Sequence, residues 1–236
     1  MGTCLDWHTS IANSLPASIS PDDRSRFALE WRQTYFDYNA ARLAAGQPPE
    51  DIDVSHRHTL DVMLARPEWA SCKTAFGEGS EEEDEKAAKK RCIAAWHNQP
   101  AWADVKPALE ALRARGYETF VHANGTVRLQ LDLVRSSGLR GLFDVLFSSE
   151  LLGVIKPAPA SYDKCLDLLR HRPEECVMVA AHAYDTRGAK AVGIRTVYVY
   201  RWTDDIKEDQ GVVKGEFDVY LDGMEALIEA VEGLDR

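Results

Sequence analysis

From Phe120 onward the chain alternates short apolar runs with amphipathic stretches, and this rhythm limits the fold more than any single motif does. FVHANG, FDVLFSSE, CVMVAA, RTVYVYR and FDVYLDG read as strands, separated by helical segments such as VRLQLDLVRSSGL and PASYDKCLDLLRHR. Strands joined by helical crossovers build a parallel sheet, and a continuous apolar run such as CVMVAA suits a strand covered on both faces. The expected fold is therefore α/β, with a Rossmann-like parallel sheet. Ligands of such sheets bind beyond the carboxyl ends of the strands, so the residues that end each run carry the functional information.

Between residues 15 and 101 the pattern changes to helix alone. In SISPDD, Ser20 reads as an N-cap, Pro21 as the first helical residue and Asp23 as a capping acid, with the helix running through FALEWRQTYFDYNAARLAAG to stop near Gly46. HRHTLDVMLA is a second helix. In SEEEDEKAAKKRCIAAW, Glu82 with Lys86 and Glu85 with Lys89 stand four apart, which makes the charge run a solvated helix face. The expected organisation is an all-helical cap at 15–101 inserted into an α/β core made of 1–14 and 102–236. A cap of this kind closes over strand ends and excludes water from a small site.

Charge and composition remove several classes of function. With 38 acidic against 28 basic residues the formal charge is -10, which opposes nucleic acid and anionic membrane surfaces as partners. No apolar run approaches the roughly 20 residues that span a bilayer, and the N-terminus lacks a basic segment followed by an apolar one, so a cytoplasmic protein is expected. The five cysteines, Cys4, Cys72, Cys92, Cys165 and Cys176, are odd in number and form no CxxC pair, as befits reduced thiols.

Four segments in order, MGTCLDWH ahead of the helical insertion, then HANGT, VIKPAPASY and AAHAYDTRGAKAVG, resemble the haloacid dehalogenase superfamily, in particular its 2-haloacid dehalogenase-like branch with a helical cap. The resemblance spans nearly the whole chain and implies hydrolysis through an ester on a nucleophilic aspartate. Met1, Gly2 and Thr3 match the last three positions of the family's first motif. That places the aspartate two residues upstream of Met1, with the first-motif strand and its Asp absent from this chain. A shortened ordinary hydrolase and a natural variant without covalent catalysis both fit. Losing a central strand forfeits on the order of 10 kcal/mol, at roughly 2 per buried side chain. A folded chain is then expected to compensate, either by bringing the FVHANG and CVMVAA strands together or by letting a second copy cover the opening as a homodimer.

The resemblance also assigns residues. Thr3 closes the first motif and is grouped with the catalytic residues. Arg32, in EWRQTYFDY, matches a cap-helix arginine that holds the leaving halide, whereas by itself it reads as a surface arginine beside a core Trp31. Asn124 ends its strand, and Gly125 and Thr126 open a helix whose free N–H groups favour an anion. Ala123 stands where the family carries serine, which removes a hydroxyl from the substrate carboxylate and with it the case for strict haloacid specificity. Lys156 matches the lysine that neutralises the nucleophile, and Tyr162 a tyrosine close to it. Without that nucleophile, Lys156 is expected to serve as acid, base or anion anchor.

Asp185 matches a carboxylate near the hydrolytic water, while Ala180, Ala181 and His182 replace hydroxyl and amide side chains. His182 either transfers protons, work that suits a histidine near neutral pH, or rests hydrogen-bonded to backbone beneath the cap. Tyr184, His122 and Trp7 complete the substrate-binding candidates, and Trp7, with His8, either enters the cleft or packs in the core. The phosphatase branch holds magnesium with first-motif acids and a fourth-motif acid pair. Here Met1 takes one of those positions and Asp185 is the sole fourth-motif acid, so no metal and no other cofactor is expected.

The chain is thus expected to be a dehalogenase-like enzyme acting on a small organic anion in a cleft between core and cap. Arg32, Asn124 and Lys156 bind and polarise it while His182 and Asp185 move protons, which suits a lyase, isomerase or cyclase better than carbon–halogen hydrolysis. The alternative is a non-catalytic small-molecule-binding or assembly protein on the same fold. Retention of Arg32, Lys156 and Asp185 together favours the enzyme.

Overall fold

The structure, a computed structural model, describes residues 1–48, 50–77 and 82–234. The chain forms two compact units, Met1–Leu5 with Ala101–Arg236, and Asp6–Pro100. The expected division lay at 14/15 and 101/102, but helix α1 (Trp7–Ser14) groups with the helical unit. Its apolar face explains this: Trp7 and Ile11 are fully buried, Trp7 stacks on Trp96 with centroids 5.8 Å apart, and His8 Nε2 lies 3.0 Å from Ser25 Oγ.

The helical unit continues with α2 (Pro21–Ala44), α3 (Ile52–Leu64), α4 (Ala70–Ala75) and α5 (Glu82–Ala95). Ser20 caps α2 by accepting from Asp23 N at 3.1 Å, Pro21 fills the first turn, and the helix gives way at Ala45 to Gly46, whose φ of 67° suits a residue without Cβ. On α5, Glu85 pairs with Lys89 at 2.7 Å, and the Glu82–Lys86 pair lies outside the described side chains. Trp7, Trp31, Trp69, Trp96 and Phe27 are at most 1% exposed and form the centre of this unit. Cutting one tryptophan back to alanine would cost about 3–5 kcal/mol. Trp31 Nε1 donates to Thr59 Oγ1 at 3.0 Å, which satisfies its buried polar edge. His56 is held between rings, its centroid 4.0 Å from Trp96 and 4.3 Å from Tyr35, and neither of its nitrogens has a hydrogen-bond partner.

The other unit is the expected α/β core. Helix α6 (Val105–Ala114) precedes β1 (Phe120–Ala123), α7 (Val127–Ser136), β2 (Val145–Ser148), α8 (Ser149–Leu152), α9 (Pro159–Leu169) and β3 (Val177–Ala180). Then follow α10 (Ala183–Ala191), β4 (Arg195–Val199), α11 (Gln210–Val213), β5 (Val219–Leu221) and α12 (Leu227–Leu234). All strand pairings are parallel: β1 with β2, in register from Phe120↔Val145 to Ala123↔Ser148, and separately β3–β4–β5. Among the described residues, β1 and β3 do not pair with each other, so the expected closing together of these strands is not what the structure shows. Side chains join the two sheets at their carboxyl ends instead, through Lys156, Tyr162 and Asp185. The burial follows this split: β4, flanked on both sides, is buried from Thr196 to Val199, whereas all four residues of β1 are half-buried. No helix among the described residues is long and apolar enough to cross a membrane.

Burial, and then the positive charges of Arg32 and His97, hold His56 well below its ordinary value of 6.5. Burial also lowers His8. A ring kept neutral in the folded state gains its proton on unfolding, so stability is complete above pH 6.5 and falls as the pH drops below it, by up to about 1.4 kcal/mol per pH unit for each such histidine. Urea unfolding midpoints are expected to drop between about pH 7.5 and about pH 5.5, and to drop less in His56→Phe. Equal drops in the two proteins would contradict this account of His56.

Candidate active site

Lys156 lies between α8 and α9, beyond the end of β1, and is 7% exposed. Asn124, just past β1, brackets its backbone: Asn124 Oδ1 accepts from Lys156 N at 2.8 Å and Nδ2 donates to Lys156 O at 2.9 Å. With its amide engaged on both sides, Asn124 acts on Lys156 and fixes where the lysine leaves the main chain. The ammonium then donates to His122 O at 2.7 Å and to Asp185 Oδ2, with which it forms a buried ion pair. Tyr162 Oη completes the cluster, 2.8 Å from Asp185 Oδ1 and 3.0 Å from the Asp185 carbonyl. A Cβ on Gly188 would come within 2.5 Å of that Oη, so the ring reaches Asp185 because position 188 carries no side chain.

These contacts set the protonation of the group. Burial works to raise Asp185, yet the charge and hydrogen bond of Lys156 and the hydrogen bond of Tyr162 outweigh it and hold the carboxyl below its usual range. Tyr162 is pushed up by burial and by the neighbouring Asp185, so the phenol stays protonated and donates. His122 is pushed down to about 3 by burial and by Lys156, and its Nε2 lies 2.9 Å from Ser161 Oγ. It is a neutral, hydrogen-bonded ring, suited to packing against the Tyr162 ring at 5.3 Å rather than to holding a charge.

A second group stands at the start of α10. Thr3 Oγ1 accepts from Ala181 N at 3.0 Å, and the backbone around it is pinned by Arg201 Nε on Thr3 O at 3.2 Å and Trp102 Nε1 on Gly2 O at 2.8 Å. Arg201 is itself paired with Asp104 at 2.9 Å. His182 is buried and its Nε2 lies 2.8 Å from Asp204 Oδ1, while the Tyr184 ring sits 5.7 Å from the imidazole. Asp205, next along, accepts from Ala183 N at 2.6 Å and from Tyr198 Oη at 3.0 Å. Asp204 and Asp205 were not singled out in the sequence. The available signal was the consecutive acid pair in RWTDDIK shortly after a strand end.

The expected anion site at the start of α7 is already filled by the protein: Thr126 Oγ1 accepts from Leu129 N, Ser149 Oγ from Gly125 N and Glu150 Oε2 from Val127 N. Arg32 and Trp7 lie in the helical unit. Arg32 is 5% exposed, and its guanidinium sits 4.6 Å from the Phe36 ring, 5.2 Å from Trp7, 5.4 Å from Trp96 and 5.9 Å from Tyr35. It is thus a desolvated cation held by aromatic faces, and Trp7 is a core residue. Among the described residues, no three His, Cys, Asp or Glu side chains are grouped to hold a metal ion.

A parallel α/β core, an inserted helical unit and a buried lysine–aspartate pair at the strand ends define a hydrolase-type fold, and the chain belongs to the haloacid dehalogenase-like hydrolases, whose family matches residues 2–193. It is 33% identical over 200 residues to (S)-2-haloacid dehalogenase 1 of Pseudomonas sp. (strain CBS-3), covering 85% of this chain and 81% of that relative. It is 31% identical over 203 residues to (S)-2-haloacid dehalogenase 4A of Burkholderia cepacia, covering 85% and 80%. The crystal structure of an L-2-haloacid dehalogenase superposes with a TM-score of 0.77 at 26% identity, over 98% of this chain and 95% of that one. The L-2-haloacid dehalogenase of Xanthobacter autotrophicus shares the fold, with a TM-score of 0.76 at 21% identity over 99% and 96% of the two chains.

Asp185→Asn keeps the shape of the carboxylate but leaves Lys156 a buried cation without its counter-ion, and is expected to destabilise the protein by about 3–5 kcal/mol in denaturant unfolding. A loss below about 1 kcal/mol, the scale of an exposed pair, would mean that solvent reaches Lys156.

Proposed function

We propose that the protein is an enzyme acting on a small organic anion, of the 2-substituted carboxylate kind named in its dehalogenase relatives. The observation that supports this most is the buried Lys156–Asp185–Tyr162 cluster beyond the strand ends, where ligands of parallel sheets bind. A desolvated ion pair adds little to stability compared with apolar packing of the same volume, so its presence there points to chemistry. Within the α/β unit, Lys156 polarises the substrate.

Both oxygens of Asp185 are engaged, one by Lys156 and one by Tyr162. A carboxylate so held is a weak nucleophile and a weak base, so Asp185 serves as the counter-ion that places Lys156. We assign proton transfer to His182, as in a lyase or isomerase. With (S)-2-chloropropionate as the probe, such chemistry takes a proton from the methyl carbon, expels chloride and forms acrylate, whereas hydrolysis gives chloride and lactate. NMR of the products is expected to show acrylate. Lactate would overturn the proton-transfer assignment and return the protein to the family's hydrolysis, and binding with no turnover across a panel of small carboxylates would favour a non-catalytic role.

His182→Gln is expected to lower kcat by about a hundredfold to ten-thousandfold. Unchanged kinetics would remove His182 from the mechanism. Among the described residues β1 pairs with β2 alone and β3 with β4 alone, which supports the homodimer expected from the sequence. Sedimentation at micromolar concentration is expected to give twice the chain mass, and a monomer there would contradict it.

A further inference from the structure

We infer that Arg201, backed by Asp104, is a positioning residue for the strand-end site: it fixes Thr3, and through Thr3 the turn between β3 and α10. That turn holds His182 and opens the helix of Asp185, and the inference rests on the reading of this site as catalytic. Asp104 stands at the N-cap of α6, where an aspartate ordinarily accepts from the first backbone N–H groups, yet it makes no side-chain cap hydrogen bond. Both of its oxygens serve groups far along the chain instead. Oδ1 accepts from Arg201 Nη2 at 2.9 Å, and Oδ2 accepts from Met224 N at 2.7 Å and lies 2.9 Å from Arg201 Nη1. A cap bond forgone for a long-range fork marks a residue kept for its partner.

The side chains of Arg201 and Asp104 are buried, at 9% and 7% exposure, and the Trp102 ring lies 5.2 Å from the guanidinium. Burial works to raise Asp104, but Arg201 and the Met224 amide outweigh it and keep the carboxyl below its usual range. A desolvated ion pair is a weak stabiliser beside apolar packing, so the use of this one lies in what it holds. Arg201 Nε donates to Thr3 O at 3.2 Å, while Trp102 gives Nε1 to Gly2 O at 2.8 Å and its backbone N to Cys4 O at 3.1 Å. Three successive carbonyls are thus held, and from the middle one the Thr3 side chain reaches across to accept from Ala181 N at 3.0 Å. Ala181 precedes His182, so the contacts run without a break from Asp104 through Arg201 and Thr3 to the turn. Lysine in place of Arg201 has one ammonium for Asp104 or Thr3 O and lacks the planar fork that meets both.

The test compares the wild type with Arg201→Lys, which keeps the charge, and with Thr3→Val, which removes the acceptor facing Ala181. Hydrogen exchange followed by NMR is expected to show a protected Ala181 amide in the wild type. In both variants that amide should exchange about tenfold faster or more, while the amides of the β1–β2 sheet keep their rates. Chloride release from (S)-2-chloropropionate by Arg201→Lys is expected to lose about tenfold to a hundredfold in kcat, with KM changed less than about threefold. An Ala181 amide unaltered in Arg201→Lys would overturn the proposal. So would exchange raised equally across both sheets, which makes the pair a general brace of the fold, and so would an unaltered kcat with Ala181 loosened. Where Arg201→Lys does not fold, Asp104→Asn, which keeps the shape of the carboxylate and removes its charge, supplies the same readings. A wild type that releases no chloride would contradict the catalytic reading alone, and the Ala181 exchange would then decide whether Arg201 sets the turn.

Discussion

The ion pair between Lys156 and Asp185 is the interaction around which the strand ends of the α/β core are arranged. Its ammonium is tied to the end of β1 through His122 O, and its carboxylate partner opens the helix that follows β3, so one buried charge pair joins two sheets that share no strand pairing among the described residues. Charges taken from water repay the cost of desolvation only when every remaining hydrogen-bonding position is filled. The surroundings fill several of these positions: Tyr162 covers the second oxygen of Asp185, His122 O takes a second hydrogen bond from the ammonium, and Gly188 leaves room for the tyrosine ring. The same arrangement keeps His122 neutral, because its ring is buried and lies beside the lysine charge.

The helical unit solves the problem of a buried cation differently. Arg32 is surrounded by the rings of Phe36, Trp7, Trp96 and Tyr35, where the quadrupoles of the faces offset part of the lost hydration. His56, stacked in the same cluster and close enough to feel Arg32, must stay neutral for the cluster to persist. The two units thus respond to acid through different groups, the helical unit by protonation of buried histidines and the α/β core by protonation of Asp185.

Much of this was written in the sequence wherever local chemistry alone decides the structure. The strand runs from FVHANG to FDVYLDG formed strands because continuous apolar segments between helical patterns have no other way to be buried, and Ser20-Pro21 set the start of α2 because capping needs nothing beyond its own turn. Lys156, Tyr162 and Asp185 were each legible through the family resemblance, the first two beside the nucleophile and the third near the hydrolytic water, but their pairing with one another, which gives Lys156 a counter-ion, was not. Less legible was anything that depends on partners far along the chain. The place of α1 is settled by Trp7 meeting Trp96, the duty of Asn124 by the backbone of Lys156, and the setting of His182 by Asp204 in a loop whose sequence looks like ordinary solvated acids.

A double-mutant cycle on Lys156 and Asp185 tests the central claim most directly. If the pair is desolvated and acts as a unit, Lys156→Met and Asp185→Leu should each cost about 3–5 kcal/mol, because each strands a buried charge, while the double variant should lie within about 1 kcal/mol of the wild type or above it. The double variant should also bind no small carboxylate, since the pair is kept for its chemistry and not for its stability. Single losses that simply add in the double variant would show two charges that act independently, and would contradict the account.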